Sequence, residues 1–84
     1  MSDSEKLKFE IINNLGTISE KSKGWKKELN RVSWNGQEPK YDIRSWDSDH
    51  IRMGKGITLS ESELRKLKEL IDAEISYLDK LENQ

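Results

Sequence analysis

No cysteine occurs in the 84-residue chain. Its absence excludes a disulfide framework, a thiolate metal site and a cysteine nucleophile, and it suits a reducing compartment. Histidine is nearly as scarce: His50 stands alone, in the run "DSDH". Without a second histidine, Asp47, Asp49 and His50 read as a solvated loop of turn and cap residues, not a metal or acid–base site. The run "GKG", Gly54 to Gly56, is too short for a phosphate-cradling loop and does not open a helix. No candidate nucleophile and base stand together, so the expectation is a non-enzymatic protein with no metal or cofactor. No apolar run approaches the roughly 20 residues needed to span a bilayer. The stretch "MSDSEKLK" is polar with no apolar signal core behind it, which points to a soluble, cytoplasmic protein. Internal repeats, low-complexity tracts and linkers are also missing. Residues 1–84 therefore read as one domain, with residues 1–7 as a flexible tail. A chain this short buries a limited share of its surface, and a partner subunit would complete a marginal core.

What the chain has is charge, unevenly distributed. The net charge is −1, yet residues 21–55 hold nine Lys or Arg against five acids. This segregation suggests a basic working face on an otherwise acidic molecule. All three tryptophans, Trp25, Trp34 and Trp46, fall in the same basic segment.

The hydrophobic pattern gives strands first and a helix last. "LKFEIINNLGTISE" reads as one long curved strand or two short ones over Lys8 to Glu20, with Gly16 marking a bend or bulge. "WKKELNRVSW", Trp25 to Trp34, is a second strand. Its Leu29 and Val32 have opposite parity, so either a bulge intervenes or both faces are partly covered. "NGQEP" carries the Asn-Gly hairpin signal, since both residues tolerate positive φ. "KYDIRSW" and "GKGITLS" supply strands three and four. Ser60 and Glu63 then form a capping-box pattern. Leu64, Leu67, Leu70, Ile71, Ile75, Leu78 and Leu81 follow at helical spacing over Glu61 to Glu82. The expected fold is α+β: a curved four-stranded antiparallel sheet, one face covered by a long C-terminal helix and the other open.

In "KYDIRSW", alternation sends Tyr41, Ile43 and Ser45 to one face and Lys40, Asp42, Arg44 and Trp46 to the other. The first set reads as a core face. A tryptophan between cations on the second, wet face calls for a ligand, and single-stranded nucleic acid offers both phosphates for Lys and Arg and base faces for aromatic rings. Trp34, just before the hairpin turn, reaches toward the same side. Asp42 would repel phosphates, and is expected to orient Arg44 or a nearby lysine by pairing. Lys26, Arg52 and Lys55 complete the expected basic set.

The run "KYDIRSWDSDHIRMGKGITLSESELRKLKELI" resembles the transcriptional coactivator family of positive cofactor four. That family's pattern is an aromatic before a basic hairpin, then D-I-R, an aromatic strand end, a loop with a Met, a basic G-x-x-G-I-S-L-S strand and a capped helix. Asp42-Ile43-Arg44, Trp46, Met53 and Lys55 to Ser60 follow it in order. The likeness covers about Trp34 to Leu78, and "SWNGQEPKYDIRSWD" is closer still to the bacterial YdbC-type members. The resemblance implies a homodimer paired through its helices, whose sheet faces bind single-stranded DNA with little sequence preference. By position it implies nucleic-acid contacts at Trp34, Lys40, Arg44 and Lys55. Trp46 sits one residue earlier than the family's usual tryptophan. In a bacterium such a protein would be associated with the nucleoid, with a role in transcription, replication or repair. The dimer is expected to use Leu70, Ile75, Leu78 and Leu81, which the sheet of one short chain leaves uncovered. Two other readings remain: a single-stranded RNA binder, and a protein-interaction module built on the tryptophans.

Overall fold

The computed structural model describes residues 7–83, so the expected tail lies outside the described residues except for Leu7. Strand β1 (Phe9–Glu20) leads through a single 3-10 turn to β2 (Lys26–Trp34). Strands β3 (Lys40–Trp46) and β4 (Met53–Leu59) follow, and helix α1 (Glu61–Glu82) ends the chain. The sheet order is β1-β2-β3-β4, antiparallel throughout. The β2–β3 hairpin turns where expected, with Asn35 and Gly36 at φ 53° and 76°. Positive φ at two successive residues matches the right-handed twist of the flanking strands.

The bend expected at Gly16 takes a more extensive form. Strand β2 pairs continuously from Lys26 to Trp34, whereas β1 skips Ile12, Leu15 and Ile18, so twelve residues of β1 run against nine of β2. Each skip is a bulge, which bends the strand and increases its twist. Strand β2 has none, so its mixed parity has the other cause: both of its faces are partly covered. Leu29 turns toward α1 with Tyr41 and Ile43, and Val32 is fully buried on the far face.

Helix α1 begins as its sequence requires. The Ser60 backbone N–H donates to Glu63 Oε1 at 2.8 Å, and the Glu63 N–H donates to Ser60 Oγ at 3.2 Å. The first of these bonds, with the Ser60 side chain adding to it, holds the Glu63 carboxyl below its ordinary pKa, because both favour the charged form. The first turns of α1 lie over the sheet, where Leu64, Leu67 and Ile71 face Leu29, Tyr41 and Ile43 across a groove. Beyond Ile71 the helix leaves the sheet, and Ile75, Leu78 and Leu81 are exposed. No described helix is long and apolar enough to cross a membrane.

Candidate nucleic-acid interface

The face of the sheet turned away from α1 carries Glu28, Asn30, Val32 and Trp34 from β2 and Lys40, Asp42, Arg44 and Trp46 from β3, set opposite one another by the register. The alternation read from "KYDIRSW" is therefore correct, but its wet face is not wet. Asp42, Asn30, Val32 and Trp46 are 0% exposed, while Tyr41 and Ile43 on the helix side are only half-buried. The bulged β1 brings Phe9 against Trp46, ring centroids 5.1 Å apart, and the β3–β4 loop brings His50 to within 5.8 Å of the same ring. Between them they seal Trp46, and the expectation that it stacks on bases from an open face is overturned.

Around this tryptophan the charged groups are paired, whereas the indole N–H groups of Trp46 and Trp34 and the Asn30 Oδ1 are buried with no hydrogen-bond partner among the described residues. Asp42 accepts from Arg44 Nε at 2.7 Å and Nη2 at 2.8 Å, and from Thr58 Oγ1 at 3.0 Å. Arg44 Nη1 points to Met53 Sδ and the Gly54 carbonyl, both at 3.4 Å. A guanidinium has five N–H groups, and these contacts engage four of Arg44's. Asp42 does orient Arg44, as expected, but the pairing leaves the arginine little with which to grip a phosphate. Its side chain is 14% exposed, and its Cζ lies 4.8 Å from the Trp34 ring centroid, a cation–π distance. A side chain at Gly56 would collide with Arg44 and the Ile43 carbonyl, so β4 must present glycine where the arginine crosses it. Phe9 stands between Trp34 and Trp46, 6.0 Å from the former.

Sequence reasoning missed Glu28, Asn30 and His50 as parts of this arrangement. Glu28, 2% exposed, accepts from Asn30 Nδ2 at 3.0 Å and lies 2.9 Å from His50 Nε2. The signal was parity: Glu28 and Asn30 alternate in step with Val32 and Trp34. The "DSDH" loop is likewise held in place rather than loosely solvated. Asp47 Oδ1 accepts from the Ile51 and Arg52 N–H groups at 2.9 and 3.1 Å. The described residues contain no group of metal-ligating side chains.

Lys26, Lys40, Lys55 and Arg52 are exposed, and Trp34 is half-buried. Lys26 and Lys40 lie at opposite ends of the far face, opposite Trp46 and Val32 respectively. Six residues of β3 separate these positions, about 20 Å at strand rise. Arg44 lies in this span, and Trp34, two residues beyond the Val32–Lys40 pair on β2, contributes the ring on which it stacks. A path so lined offers cations at its ends and flat surfaces between them.

A family model described as Transcriptional Coactivator p15 (PC4) matches residues 21–70, which take in β2, β3, β4 and the first part of α1. The chain is also 45% identical over 65 residues to an uncharacterized protein of Treponema pallidum (strain Nichols), covering 77% of this chain and 76% of that protein.

Proposed function

The chain belongs to the transcriptional coactivator p15 (PC4) family of DNA-binding, coactivator-like proteins, and on that premise we propose that it binds single-stranded DNA with little sequence preference. The observation that carries this reading is the far face of the sheet, where Arg44, placed by the register between exposed Lys26 and Lys40, stacks on the half-buried Trp34. Trp34 takes the bases. Lys26, Lys40, Arg52 and Lys55 take the phosphates. Arg44 holds the tryptophan in place and neutralises Asp42, so that carboxylate no longer repels the backbone. Trp46 is the buried support beneath them. Affinity then rests on stacking and backbone charge, neither of which reads sequence strongly.

Fluorescence anisotropy with labelled DNA and RNA oligonucleotides and a duplex control tests this. Unstructured DNA is expected to bind more tightly than duplex of equal length, because a duplex hides its base faces. Lys55→Ala should flatten the log–log salt slope by about 0.7, one phosphate contact on a single strand. Equal affinity for duplex and single strand would refute the stacking role. Tighter RNA binding would move the ligand class. Binding insensitive to salt would favour a protein-interaction module.

The same reading includes a homodimer joined through α1. Leu70 is 58% exposed, Ile75 49%, Leu78 44% and Leu81 46%, a contiguous apolar stripe of the kind soluble monomers avoid. Ile75→Asp is expected to yield a monomer or an unfolded chain and to weaken DNA binding without touching the DNA face. Sedimentation at several concentrations checks it. A wild-type protein that stays monomeric at micromolar concentration, with a melting temperature indifferent to dilution, refutes the dimer.

A further inference from the structure

The Asn35-Gly36 step that turns the β2–β3 hairpin is also the chain's single asparagine followed by glycine, since Asn13, Asn14, Asn30 and Asn83 precede Asn, Leu, Arg and Gln. Glycine has no Cβ to hinder its own nitrogen, so an Asn-Gly side-chain amide is open to attack by the backbone that follows it. Asn35 and Gly36 are both exposed. Details of the turn favour that attack. Asn35 Oδ1 accepts from the Lys8 N–H at 3.0 Å, which draws electrons from Cγ and would hold the oxyanion of a tetrahedral intermediate. No described residue accepts from the Gly36 N–H, which leaves that proton to solvent. A Cβ at Gly36 would have nothing within 4 Å, so the turn is open on that side. Other asparagines are held differently. Asn30 is 0% exposed with its Nδ2 bonded to Glu28, and Asn13 and Asn14 pair with β2 in the ladder.

We infer that Asn35 is a self-modification site: its carboxamide converts to a carboxylate, and the new charge weakens the nucleic-acid contact at Trp34. The effect on binding rests on the reading of Trp34 as the ring that takes the bases. The Gly36 amide nitrogen, after giving its proton to solvent, forms a bond to Asn35 Cγ. The bond from Cγ to Nδ2 then breaks, and Nδ2 takes up a proton and leaves as ammonia. Water opens the resulting cyclic imide at either carbonyl, giving aspartate or isoaspartate. One water is consumed and one ammonia released, with no change of oxidation state. The Gln37 N–H bond to the Trp34 carbonyl, 3.0 Å, spans the turn, so conversion waits on opening of the turn. Charge makes the product consequential. Residues 35–40 hold one acid, Glu38, and one base, Lys40, so the hairpin tip passes from neutral to net negative beside the ring that meets the bases. A phosphate arriving there meets repulsion in place of a neutral amide. The isoaspartate form also adds a methylene to the main chain. That displaces the Asn35 N–H from the Lys8 carbonyl, to which it donates at 2.8 Å, and loosens the start of β1, where Phe9 packs on Trp46.

Ageing the full chain at mildly alkaline pH, followed by peptide mapping with mass spectrometry, tests the site. Asn35 is expected to convert well ahead of every other asparagine. Asn35→Asp, made directly, keeps an acceptor for the Lys8 N–H and should retain the parent's circular dichroism. It should bind an unstructured DNA strand about fivefold more weakly at low salt, the order expected of one charge–charge contact in water, with the difference shrinking as salt rises. Asn35→Gly suits the positive φ and has no amide to lose. Aged wild type should therefore lose affinity in proportion to its converted fraction, while aged Asn35→Gly should not. An Asn35 that ages no faster than Asn13 or Asn14, or an Asn35→Asp protein that folds and binds as tightly as the parent, overturns the proposal. A wild type that binds no single strand overturns the reading of Trp34 and the effect on binding with it, and the peptide map alone then decides whether Asn35 converts.

Discussion

Arg44→Ala is expected to lower the stability of the fold by about 3–5 kcal/mol, the range for breaking a buried ion pair from one side. Asp42 has no exposed surface, and two of the three side-chain hydrogen bonds it accepts come from Arg44. After the substitution a buried carboxylate keeps only the Thr58 hydroxyl. Arg44, 14% exposed, is also the cover over Asp42, so water admitted by its removal offsets part of the penalty and places the loss toward the low end of that range. Urea denaturation at fixed protein concentration measures the loss. The double variant Asp42→Asn, Arg44→Ala should recover part of it, since no charge is then stranded. If Arg44→Ala unfolds within about 1 kcal/mol of the parent, smaller than any buried-pair penalty, and instead flattens the salt slope of DNA binding, the arginine is a phosphate ligand rather than a support.

Trp46→Ala should be comparably severe, about 3–5 kcal/mol for removing a large buried aromatic. The ring is 0% exposed and packs between Phe9 and His50, so its loss opens a cavity that the strands cannot collapse into without moving β1. At about 4–8 °C per kcal/mol for a domain of this size, the melting temperature should fall by more than about 10 °C. Trp34→Ala should by contrast act mainly on binding, because Trp34 is half-buried. A Trp46→Ala protein that melts like the parent yet binds DNA poorly would return Trp46 to the ligand surface.

Much of this molecule is legible in its sequence because the signals are local. Asn35-Gly36 supplies the two positive φ values of the hairpin, Ser60 and Glu63 supply both bonds of the helix cap, and the aliphatic spacing after Ser60 sets the helix over Glu61–Glu82. Alternation correctly sorted Lys40, Asp42, Arg44 and Trp46 onto one face, and the charge of Asp42 beside that of Arg44 anticipated their pairing. Only the tertiary structure decided which face is covered. A period of two states that two faces exist; burial depends on what arrives from elsewhere in the chain, here Phe9 from β1 and His50 from the β3–β4 loop. In β1 even the period was hidden, because Ile12, Leu15 and Ile18 are each left out of the ladder with β2, which breaks the simple alternation. A bulge is a choice made jointly by two strands, and a single strand's sequence records half of it.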